Sequence, residues 1–159
     1  MRADSAKALV VMVLLGMAVL AVDLHATAKK ATLAQRLADG LAKDHPDLVR
    51  VGLHVTPPGA SENIIIASNV AEKIGQKSDP EDLKAMTTGR AVVLREGQNF
   101  DVTLPLHDAS GKLIGAVGLT LRPAADEKKG AATRRAEALA RDLERQIPSL
   151  ESLFSSAGQ

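Results

Sequence analysis

The chain has 159 residues, 45% of them apolar and 25% charged, with 20 Lys plus Arg against 19 Asp plus Glu. This composition excludes a disordered tail, a collagen-like chain and a polytopic membrane protein, and a formal net charge of +1 gives no general pull on nucleic acid or anionic lipid. With no Cys there is no disulfide, thiolate zinc site or cysteine nucleophile, and Phe100 and Phe154, the whole aromatic complement, offer bases almost nothing to stack on.

Arg2 and Lys7 precede an apolar run from Ala8 to Val22 that Asp23 interrupts, and Ala26-Thr27-Ala28 follows. A membrane span needs about 20 apolar residues, whereas a basic start, a run of about 7 to 15 and a small-x-small exit describe a secretory signal peptide. Residues 1–28 are therefore expected to be a signal peptide, with a mature chain from Lys29 that is periplasmic or secreted. The alternative is an uncleaved inner-membrane anchor at residues 8–22.

Leu33, Ala34, Leu37, Ala38 and Leu41 recur at helical spacing, and Pro46 ends that helix near Asp44 or His45. Val49, Val51, Leu53 and Val55 then alternate with polar or small residues as in a strand with one buried face, and Pro57-Pro58-Gly59 stops it. Asn63 to Ala67 follows closely enough to pair as a hairpin, although three consecutive Ile residues hide its inward face. Ser68 to Arg90 is a polar excursion with one expected helical turn from Pro80 to Met86, Asp79 standing as N-cap and Pro80 at the first helical position. Val92 to Leu94, Phe100 to His107 and Lys112 to Leu121 read as three further strands, with a bulge or sheet edge expected at Pro105. After a charged linker, Ala132, Ala136, Leu139, Ala140, Leu143 and Ile147 stripe a last helix that ends at Pro148. The predicted class is α+β: a five-stranded antiparallel PAS-like sheet with a long N-terminal and a C-terminal helix.

The wording IIIASNVAEKIGQKSDPED from Ile64 to Asp82, together with LPLHDASGKLIGAVGLT from Leu104 to Thr120, resembles extracytoplasmic sensor domains of the Cache family in their single-module form. The resemblance runs from about Leu33 to Arg122 and implies a sensor domain over residues 29–124, with residues 125–159 forming a C-terminal helix and tail. It also implies that the first stretch covers a ligand pocket. Gln159 ends the sequence with no second apolar segment and no output module, so any signal is expected to pass to a membrane receptor or another protein partner.

If Val51 and Leu53 face the helices, Arg50 and His54 face the other way, as do Asp101, Thr103 and His107 on the fourth strand, with small residues between them on the fifth. A cleft with Arg50 and His54 as donors and Asp101 as acceptor suits a small carboxylate or an amino-acid-like zwitterion, and Asn69, Lys77 and Arg90 are placed to close over it. The expected ligand-binding set is therefore Arg50, His54, Asn69, Lys77, Arg90, Asp101 and Thr103; the alternative is a sheet face open to water. His54 and His107, a strand apart, would stand about 10 Å from one another, too far to share a metal. No metal site, cofactor or nucleic-acid partner is expected. Catalysis is not expected either: no nucleophile elbow, zinc-binding helix, Walker loop or dinucleotide fingerprint occurs, and His107, Asp108 and Ser110 lie in one tight turn. The expected function is a small-molecule binding or sensing module. The alternative is an interaction protein acting through its terminal helices, whose apolar stripe would also serve a homodimer seam.

Overall fold

The computed structural model describes residues 31–156; the expected signal peptide or anchor lies outside the described residues. The elements run α1 (Leu33–Asp44), β1 (Leu48–Val55), β2 (Ile64–Ser68), a 3₁₀ turn at Ala71–Lys73, α2 (Pro80–Thr88), β3 (Val92–Glu96), β4 (Asn99–His107), β5 (Leu113–Leu121), α3 (Lys129–Glu144) and a 3₁₀ turn at Glu151–Phe154. Among the described residues no helix is long and apolar enough to cross a membrane.

Local chemistry sets the boundaries. The Thr32 hydroxyl accepts the Gln35 N–H at 3.2 Å and caps α1. Asp82, at the third position of α2, accepts the Asp79 N–H at 2.8 Å, and Gly89, at φ 63°, takes the left-handed conformation that ends this helix. Gly97, at φ 59°, opens the tight turn between β3 and β4, in which Glu96 pairs with Asn99.

The strands form one antiparallel sheet in the order β2-β1-β5-β4-β3. Helices α1 and α3 lie on one face, over a core in which Val51, Leu53, Val55, Val102, Leu106, Val117, Leu119 and Leu121 are fully buried. Each such side chain contributes about 1.5–3 kcal/mol by leaving water. Ala34, Ala38, Ala132 and Ala136 let the helices approach the sheet closely. The stripe of α3 is thus spent inside this chain: Ala132, Ala136, Leu139, Ala140, Leu143 and Ile147 are all buried. The homodimer seam expected of that stripe is corrected accordingly, because no apolar seam is left on it. Residues 125–156 belong to the same core, with Leu153 buried, the Leu33 N–H donating to the Ser155 carbonyl and Thr32 bridging to Ser156.

The other face of the sheet is not open to water. Helix α2 packs against β3, β4 and β5 there, and His54, Thr103 and Thr120 are buried beneath the excursion. Pro105 pairs with Ala116 of β5, whereas the pairing of β3 with β4 stops at Thr103, so the proline occupies a stretch of β4 with one free edge.

Candidate functional site

Three rows of residues cross the covered face. Arg50 of β1 stands opposite Thr120 of β5, which stands opposite Asp101 of β4; Gly52, Gly118 and Thr103 form the next row, and His54, Ala116 and Pro105 the third. The two facing glycines leave space that one side chain fills. A Cβ built on Gly52 would lie 2.9 Å from Nε2 of His54, and one on Gly118 would lie 3.3 Å from the same atom. The imidazole therefore lies over the glycine pair, and the room expected there for a ligand is partly taken by the protein's own ring.

Nδ1 of His54 reaches Oδ2 of Asp82 at 3.0 Å and Oγ of Ser78 at 3.0 Å. The Ser78 hydroxyl donates to Oδ1 of Asn63, so its oxygen is an acceptor toward the ring. Both contacts call for a proton on Nδ1, and the neutral tautomer then carries its lone pair on Nε2. Asp82 is buried, which alone would push its carboxyl up; the hydrogen bond and charge of His54, the Asp79 N–H and the Thr103 hydroxyl outweigh this and hold it below the ordinary carboxylate range. Asp101 behaves oppositely. Burial raises its pKa against the lowering effects of the Thr120 hydroxyl, 2.9 Å from Oδ1, and of Arg50, while Glu96 and Asp82 add to the rise.

Arg50 is already engaged. Its guanidinium holds both carboxylate oxygens of Glu96, at 3.1 and 2.9 Å, with Asp101 at 3.6 Å. Glu96 at the end of β3 is thus the residue that occupies the arginine fork.

Between these groups and the excursion lies a cavity of about 60 Å³, lined among others by Arg50, His54, Lys73, Lys77, Asp79, Asp82, Asp101 and Thr103. The space is well below the roughly 300 Å³ of ordinary ligand pockets. The structure brings Arg50, His54, Lys77, Asp101 and Thr103 of the expected set together on this cavity. Lys77 stands at its mouth, exposed and ion-paired to Glu62.

Two expected members fall elsewhere. Asn69 accepts the Val51 N–H at 2.8 Å and donates to the Val49 carbonyl at 3.2 Å, continuing the ladder along β1 where β2 ends. Arg90, just past the glycine that ends α2, lines a separate groove beside β3. Sequence reasoning missed Asp82, Ser78 and Glu96. The capping pattern at Asp79 and Pro80 was the one available signal, since it fixes Asp82 in the first turn of a helix whose side chains turn toward whatever lies below. His107 stands apart, its Nδ1 2.9 Å from Oε1 of Glu144 on α3. Asp108 accepts from the backbone and hydroxyl of Ser110 and from the Lys112 N–H, a turn closed on itself.

No family model matches the chain, and no curated protein matches it. Solved structures do. A protein described as a GAF sensor from Burkholderia vietnamiensis matches with a TM-score of 0.52 at 16% identity, over 78% of this chain and 82% of that one. The GAF domain of an Acinetobacter phosphoenolpyruvate-protein phosphotransferase matches with a TM-score of 0.53 at 14% identity, over 77% of this chain and 83% of that one. A type II free methionine-R-sulfoxide reductase from Thermoplasma acidophilum matches with a TM-score of 0.49 at 16% identity, over 76% and 91% of the respective chains. The fold is GAF-like, an α+β fold with a five-stranded antiparallel sheet. The solved structures carry the resemblance at this level and do not single out the Cache family.

Proposed function

We propose that the chain is a small-molecule binding and sensing module for a compact zwitterion of the amino-acid type or a small carboxylate, without a catalytic step of its own. One observation carries this reading: a buried His54 and Asp82 pair aimed into a polar cavity that bears both signs of charge. Lys73 and Lys77 supply cations at the mouth and Asp101 a half-buried acceptor at the floor, while Nε2 of His54 lies over the glycine pair beside them. A ligand carboxylate meets the lysines, and a ligand ammonium meets Asp101.

The cavity is well below the size of ordinary ligand pockets, so admission of such a ligand calls for the segment over it, residues 69–79, to lift. Release of Arg50 from Glu96 would accompany that movement and carry it to β3. Export through residues 1–28, the single-module Cache type and signalling to a separate partner complete the proposal, all resting on the sequence.

The test is thermal unfolding of the full chain followed by circular dichroism, since there is no Trp or Tyr to report. Amino acids, small carboxylates and amines form the library. A ligand at about 100 times its Kd adds about 2.7 kcal/mol and shifts the transition by several degrees. We expect zwitterions to shift it and Asp101→Asn to abolish the shift. If no class moves the transition, or the shift survives both Asp101→Asn and Lys73→Gln, the cavity is not the binding site.

A further inference from the structure

The two edges of the sheet are treated differently. Along β2 the excursion closes the edge: the Ile65 N–H donates to the Gln76 carbonyl, the Gly75 N–H to the Ile65 carbonyl and the Ser78 N–H to the Asn63 carbonyl. Strand β3 pairs with β4 alone. Because Glu96 and Asn99 close the two-residue turn, the alternation of the ladder points the N–H and C=O groups of Val93 and Arg95 outward. Leu94 is 45% exposed beside them.

Grooves of about 570 and 390 Å³ flank this edge. Five cations border them: Arg95 of β3 itself, which donates to the Gln98 carbonyl at 2.9 Å and lies over the Phe100 ring, and four others, Lys84 from α2, Arg90 from the loop after it, and Lys128 and Lys129 from the start of α3. Among the described residues none of these four side chains has an ion-pair or hydrogen-bond partner. Glu127, the acidic residue on the wall, is held by Arg135 at 2.8 Å. The edge thus combines unmet backbone groups with unmet positive charge.

We infer that β3 is a docking edge for an extended acidic segment of another protein, added as a sixth, outer strand whose carboxylates meet Lys84, Arg90, Lys128 and Lys129. Strand addition supplies main-chain hydrogen bonds, and the basic rim supplies selection for acidic sequence. A second copy of this chain would bring the same cations against these and is disfavoured by repulsion. Residues 1–30 hold Arg2, Lys7, Lys29 and Lys30 against Asp4 and Asp23, a net positive charge that does not complement the groove. The inference stands whether or not the cavity takes a ligand.

The probe is a dye-labelled peptide of alternating Glu and Val, about seven residues long to span β3, titrated with the full chain by fluorescence anisotropy. We expect saturable binding that weakens about tenfold on raising salt from roughly 50 to 200 mM. A Lys84→Glu, Lys129→Glu double variant should lose at least tenfold, whereas the same reversal at Lys43 and Lys112 should not. Amide NMR shifts should centre on Val93 and Arg95. Absence of binding at millimolar peptide overturns the inference. So does equal affinity for a peptide of equal charge interrupted by prolines, which would reduce the contact to charge alone. A dimer in sedimentation that the charge-reversed variant retains and the peptide disperses would identify a second copy as the occupant and overturn the acidic partner.

Discussion

Nδ1 of His54 lies 3.0 Å from Oδ2 of Asp82, and this contact ties the middle of the sheet to the first turn of α2. The glycine pair beneath the ring, the capping of α2 and the burial of Thr103 all meet at these two side chains.

Acid should loosen this contact. The Asp82 carboxyl titrates below its unfolded value of about 3.9, so its stabilisation is fully present above that pH and is lost as pH falls through the lower folded value. Asp101, raised chiefly by burial, runs the other way: its contribution is fully present below about pH 3.9 and is lost as pH rises through its higher folded value. In thermal melts between about pH 3 and 7, Asp82→Asn should flatten the acid-side fall and cost about 1–3 kcal/mol at neutral pH. Asp101→Asn should instead remove the loss that sets in above about pH 4. Parallel curves for Asp82→Asn and the parent chain would show that this carboxylate is not held as described.

The glycines of β1 and β5 should rank by what a methyl group meets. At Gly115 a Cβ would fall 2.1 Å from the His54 carbonyl oxygen and 2.8 Å from Cγ1 of Val55, so Gly115→Ala must push the central strands β1 and β5 away from one another. We expect a loss of about 3 kcal/mol or more, or failure to fold. Gly52→Ala meets the ring at 2.9 Å and must displace an imidazole that Asp82 anchors, for about 1–3 kcal/mol. Gly118→Ala, at 3.3 Å, should be the mildest. Chemical denaturation of the three variants checks the order, and a Gly118→Ala as damaging as Gly115→Ala would contradict it.

Arg50 and Glu96 should move the titration of Asp101 in opposite directions. Arg50 favours the charged carboxylate and Glu96 disfavours it, so Arg50→Gln raises the Asp101 pKa further and Glu96→Gln lowers it. Removing Glu96 also frees the guanidinium, now 3.6 Å from Asp101, to close on that carboxylate. The pair itself is partly exposed, so either variant should cost at most about 1 kcal/mol of stability. Carbon-detected NMR of the labelled carboxyl reads both shifts; equal displacement in one direction would mean that the fork is not shared as the geometry shows.

Much of the fold was legible because a buried face imposes a period. Val51, Leu53 and Val55 could only face a core if Arg50 and His54 faced away, and the same reasoning on Phe100 to Leu106 turned Asp101 and Thr103 to that second face. The stripe from Ala132 to Ile147 likewise specified a helix that covers something. The period did not say what covers the second face, and a sheet open to water satisfied it equally well.

The residues themselves, then, determined the strands, the helices, their caps and which side chains share a face, since these follow from spacings of two and three to four along one chain. Only the tertiary structure decided how those faces are used. It laid the His54 ring across Gly52 and Gly118, which are far apart in sequence, and brought Asp82 to that ring from the excursion. It also turned Asn69 to the backbone of β1, engaged Arg50 with Glu96 and left β3 as the bare edge. Each of these depends on register between strands and on where a loop lands after many residues, and no local pattern encodes the partner of a side chain across that distance.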